Sequence, residues 1–110
     1  MAGLMMVKPG LDWQSSGGLF DWTLEFLIPR LSDRNAAAWL QTVVDNNLGS
    51  IWISRFPEAT QKEIYNHLRG GLIPAAEREL PDGSAKAAAI AHLEELVDLT
   101  YREPVDDPDG

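Results

Sequence analysis

Phe20, Trp22, Leu24, Phe26 and Ile28 alternate with Asp21, Thr23, Glu25 and Leu27. Period two over nine residues places five large apolar side chains on one face of an extended segment, whereas a helix scatters them around its circumference. The pattern predicts a strand near 20–28, ended by Pro29, which has no amide hydrogen for a sheet ladder.

The rest of the chain is read around that strand. Residues 4–7 are a candidate third strand, and 9–18, with Pro9, Gly10, Ser15, Ser16, Gly17 and Gly18, have loop chemistry. Ser32 or Asp33 can cap a helix over about 33–47, with Ala36, Trp39, Leu40, Val43 and Val44 as its apolar stripe and Gly49 as its stop. Residues 50–56 are short, β-branched and aromatic, which predicts a second strand. Pro57 and Glu58 suit a helix start. That helix, about 57–69, buries Ile64, Tyr65 and Leu68 and closes at Gly70-Gly71. Pro74 to Leu80 supply one or two helical turns, and Pro81-Asp82-Gly83 a turn. A last helix, capped by Ser84 and running over about 85–101, carries Ala89, Ile90, Leu93, Leu96, Val97 and Thr100 on one stripe. The expected class is α+β: a small sheet with three helices packed on it, the two main strands parallel. An all-α bundle is the rival, with 19–31 a helix interrupted near Pro29.

At 110 residues the chain is one domain's length. The expected division is a globular unit over 1–102 and a flexible acidic tail over 103–110, which has almost nothing to bury. The N-terminal apolar run stops at Lys8 and Pro9, too short for a signal-peptide core, and no window approaches a membrane span. The expected location is the cytoplasm, and the lack of cysteine agrees with it.

Side-chain chemistry excludes more than it suggests. Without cysteine there is no disulfide, zinc-thiolate site, iron–sulfur cluster or thiol nucleophile. His67 follows Glu63 by four residues and His92 precedes Glu95 by three, so each imidazole has a carboxylate on its own helical face. Nothing identifies the further ligands a metal needs, and an intrahelical hydrogen bond explains each pair as well. No serine-nucleophile turn or phosphate-cradling loop is present. Neither an enzyme nor a cofactor is expected.

Charge is the positive clue. The net charge is −8. Residues 1–56 hold four basic side chains against five acidic ones, and residues 57–110 hold five against twelve. Such a field repels phosphate backbones and anionic membrane surfaces, so neither nucleic acid nor membrane is an expected partner, and it steers a basic protein inward. Of the four tryptophans, Trp22 and Trp39 fall on predicted core faces, and Trp52 points opposite Ile51 and Ile53. Trp13, in a polar loop beside Asp12, is either an interface anchor or a ring folded back on the core.

The stretch Gly49-Ser50-Ile51-Trp52-Ile53-Ser54-Arg55-Phe56-Pro57-Glu58, followed by Ile64, Tyr65 and Leu68, resembles in layout the bacterial immunity proteins of contact-dependent-inhibition and related polymorphic toxin systems. The resemblance spans about 19–101 and has no diagnostic motif. It implies a role, tight binding of a cognate toxin domain so that its active site or substrate surface is occluded. A basic toxin domain would meet the acidic half of the chain. The expected contact residues are Asp12, Trp13, Glu58, Glu63, Glu94, Glu95 and Asp98. Two other readings stay open: a subunit that self-associates through an edge strand, and a small enzyme using a histidine. Oligomeric state is not legible.

Overall fold

A computed structural model describes residues 2–104. Strand β1 (Ala2–Lys8) buries Gly3, Met5 and Val7 and turns their neighbours outward. Pro9 and Gly10 reverse the chain, Gly10 at φ 78°, a conformation that favours glycine. Strand β2 (Leu11–Ser16) then pairs antiparallel with β1, Met5 opposite Trp13, across a register shift between Met6 and Lys8.

Helix α1 (Gly17–Leu27) follows at once, its first turn capped by the Ser16 hydroxyl, which accepts from the Leu19 amide. A 3₁₀ turn over Ile28–Arg30 leads to α2 (Arg34–Asp45), capped by the Asp33 carboxylate on the Asn35 and Ala36 amides. Strand β3 (Ser50–Trp52) pairs parallel with β1, giving the order β2-β1-β3. A second 3₁₀ turn, Ile53–Arg55, precedes α3 (Glu58–Glu79), and α4 (Ser84–Tyr101) closes the described chain. Phe20, Leu24, Leu27, Leu40, Ile53, Ile64, Leu68, Leu72, Leu93 and Leu96 meet the inner sheet residues Met5, Val7, Trp13 and Ile51 in one core.

The class is α+β as expected, with four helices in place of three and a third strand in the sheet. The strand expected over 20–28 is helix α1. The same apolar run also contains Phe20, Leu24, Leu27 and Leu31 at helical spacing, and these are all buried. The even positions that spoiled a helical reading lie on its flank, where Trp22 and Ile28 are half-buried and Trp22 stacks on Phe26 at 6.2 Å. Thr23 is buried because its hydroxyl donates to the Leu19 carbonyl. Gly3 lets Phe20 lie against the sheet; a Cβ there would overlap its ring. The rival reading of a helix interrupted near Pro29 is thus right locally, while the sheet rules out an all-α bundle.

Three other boundaries move. The expected loop over 9–18 contains β2, whose Leu11 and Trp13 point inward between exposed Asp12 and Gln14. The strand expected over 50–56 stops at Trp52, opposite Met6, because the register of β1 shifts between Met6 and Lys8 and its pairing with β3 goes no further. Helix α3 does not close at 69 but runs through Gly70, Gly71 and Pro74. Its stripe Thr60, Ile64, Leu68, Leu72, Ala75 and Ala76 continues, and that burial outweighs the roughly 1 kcal/mol per glycine and about 3 kcal/mol for proline. Gly71 also admits Phe26, whose Cζ would lie 3.2 Å from an added Cβ. Of the expected tail, Glu103 and Pro104 are exposed, and 105–110 lie outside the described residues. No helix among the described residues is long and apolar enough to cross a membrane.

Candidate functional site

A cleft of about 690 Å³ lies between β2 and α4. The two elements run side by side. At one end the His92 ring meets the Gln14 carbonyl. At the other, the Lys8 ammonium, on the residue paired with Leu11, donates to the Thr100 and Arg102 carbonyls at 2.9 and 2.7 Å.

The floor is Trp13. Its indole nitrogen donates to the His92 carbonyl at 2.9 Å, and its ring stacks on the His92 imidazole at 5.1 Å. Only 2% of the residue is exposed. Trp13 is therefore the ring folded back on the core, not a projecting interface anchor, and this contact fixes α4 against the sheet.

The walls are acidic. Asp12 comes from β2, and Glu94, Glu95 and Asp98 come from successive turns of α4. Asp98 holds the Arg102 guanidinium at 2.8 Å and Glu95 holds His92 Nδ1 at 2.8 Å. Asp12 and Glu94 have no ion pair among the described residues. Four carboxylates thus face one guanidinium and one imidazole, and a ligand bringing positive charge is favoured there.

Five of the seven expected contact residues, Asp12, Trp13, Glu94, Glu95 and Asp98, meet at this cleft. Glu58 and Glu63 do not. Glu58 pairs with Lys62 at 3.5 Å on the exposed start of α3. Glu63 accepts from the Ser32 amide at 2.7 Å and the Ser32 hydroxyl at 2.8 Å, clamping the linker ahead of α2 onto α3. Those two bonds, with the His67 charge adding to them, hold its carboxyl below the usual range. Asp33 is lowered by the Ala36 amide and the Thr60 hydroxyl. Both carboxylates serve the fold.

Gln14, His92 and Arg102 were missed as cleft residues. The signal for Gln14 was the alternation Leu11, Asp12, Trp13, Gln14, hidden in a stretch dominated by loop-forming residues. His92 announced only a helical pair with Glu95. No group of three His, Asp or Glu side chains among the described residues is placed to hold a metal ion.

A second groove, about 390 Å³, runs past Trp39, Ser50, Trp52, Arg55 and Phe56. Trp39 is 48% exposed, not in the core, because the buried side of α2 is Ala36, Ala37, Leu40 and Val43. The Arg55 guanidinium lies over the Trp52 ring at 4.5 Å.

Compared with protein-family models, curated proteins and solved structures, the chain has no match.

Proposed function

We propose that this chain is an acidic protein-binding inhibitor of the immunity type, which docks a basic partner domain at the cleft between β2 and α4 and occludes that partner's working surface. The observation that carries the reading is the convergence of Asp12, Glu94, Glu95 and Asp98 from two separate elements on one cleft. Structural neutralisation uses up Asp98 and Glu95 only partly, and it leaves Asp12 and Glu94 for a partner's cations. The field of residues 57–110, seven charges in excess, adds long-range attraction. In this role the chain performs no catalysis and needs no cofactor.

The test is co-purification with the basic protein encoded beside its gene, followed by association kinetics across a salt series. Glu94→Lys and Asp98→Lys should each slow association and flatten its salt dependence, with little change in the wild-type melting curve. Association rates unchanged by both reversals would refute the placement.

A second reading rests on the other groove. Trp39, Leu48 and Trp52 are each 41–49% exposed beside β3, the opposite edge of the sheet, in the half of the chain that is nearly neutral. Self-association through that edge meets little charge repulsion. Light scattering that gives a dimer mass lowered by Trp52→Ala would favour it; a strict monomer at all concentrations would dismiss it.

A further inference from the structure

We infer that the acidic cleft receives its partner as an extended, Lys- or Arg-bearing segment that adds a fourth strand to the open edge of β2. This rests on the docking role proposed above and specifies how the partner is held.

The backbone register carries the argument. The Leu4 amide donates to the Gly49 carbonyl at 2.8 Å, so Leu4 aims its peptide groups at β3. Met6, two residues on, aims the same way, and Met5 between them faces β2. The residues opposite Leu4 and Met6 are Gln14 and Asp12. Their N–H and C=O groups therefore point away from β1 and out over the cleft. β2 is an edge strand, and no further strand lies beyond it among the described residues. One of these outward groups, the Gln14 carbonyl, is held by His92 Nε2. The Gln14 amide and both peptide groups of Asp12 have no protein partner among the described residues. An edge strand that keeps such groups free is a template for another chain.

The side chains around this edge select what can be added. A chain laid beside β2 runs along α4, because α4 itself follows β2 from Gln14 toward Leu11. Same-face side chains of an added strand recur about every 6.6 Å, close to the roughly 5.4 Å rise of one helical turn. Cations two residues apart thus face successive turns of α4, where Glu94, Glu95 and Asp98 stand. Anionic or purely apolar segments meet repulsion or uncompensated carboxylates at the same place. His92 occupies the acceptor meanwhile and swings off Gln14 when the strand arrives.

The experiment uses a capped hexapeptide of alternating arginine and valine, titrated at low salt into the isotope-labelled full chain. Strand addition predicts that the Asp12 and Gln14 amide signals shift and gain protection from exchange. Methylating alternate peptide amides should weaken binding about tenfold or more, as should Gln14→Pro. Gln14→Pro removes an outward donor without touching a bond to β1, and its far-ultraviolet dichroism and melt check the fold. Methylated peptide and Gln14→Pro binding as tightly as the originals would overturn strand addition while leaving the acidic docking role intact. Failure of both this peptide and a folded cationic protein, lysozyme, to bind would overturn the two together.

Discussion

Two aromatic residues show how little residue type alone decides. Trp13 is 2% exposed and bonded through its indole nitrogen to α4, whereas Trp39 is 48% exposed on α2. Trp13→Ala should cost about 3–5 kcal/mol in urea unfolding, and Trp39→Ala about 1 kcal/mol or less. Equal costs would mean that Trp13 does not join sheet and helix. Glu63 makes a pH prediction. Its carboxyl is held below the usual range by Ser32, so it keeps its charge to lower pH in the folded chain than in the unfolded one. Its stabilisation is present in full above the ordinary carboxylate range and drains away as pH falls through it toward the lowered native value. Glu63→Gln should flatten that acid limb in denaturation curves measured from neutral pH downward; an unchanged limb would show that the Ser32 clamp contributes nothing.

Among the elements, α3 is the one whose composition argues most against its conformation. Gly70 and Gly71 sit in mid-helix with different surroundings. A Cβ at Gly70 meets nothing within 4 Å, whereas at Gly71 it meets the Phe26 ring. Gly70→Ala should raise stability by about 0.5–1 kcal/mol in thermal melts. Gly71→Ala should gain less or lose, because the ring has to give. Gly70→Ala lowering the melting temperature would count against a continuous α3. These glycines also explain a misreading: they look like a helix stop, and only the continued burial of Leu72, Ala75 and Ala76 shows that they are not. In α1 the error runs the other way. An apolar run rich enough to satisfy period two also satisfied the helical stripe Phe20, Leu24, Leu27 and Leu31. Helices α2 and α4 were legible nearly to the residue because turn-forming and capping residues flank them, Asp33 ahead of α2 and Pro81-Asp82-Gly83 ahead of α4.

Across the whole molecule, the two ends of the described chain are tied together. The Lys8 ammonium bonds the carbonyls of Thr100 and Arg102, and Arg69 donates to Thr100 from α3. A cation at the end of α4 satisfies carbonyls that have no helical partner. Lys8→Met should cost about 1 kcal/mol, read by denaturant titration, and unfolding should stay a single transition seen alike by tryptophan fluorescence and far-ultraviolet dichroism. Separate transitions for the two probes would mean that sheet and α4 do not share one core. The acidic bias that governs the proposed function was fully visible beforehand, since net charge needs no fold. Which carboxylates act together was not: Asp12 and Asp98 are 86 positions apart in the chain, and Glu63 looked as available as Glu94.

The order of residues decided which segments carry apolar stripes, where α2 and α4 begin and end, the absence of thiol chemistry and the sign of the field, because each of these depends on neighbours in sequence or on simple sums. The tertiary structure alone decided that 20–27 is helical, that β2 exists and forms one edge of the sheet, and that Asp12, Glu94, Glu95 and Asp98 line one cleft. Those outcomes depend on which distant surfaces compete to be buried together, and no local pattern of side chains records the result of that competition.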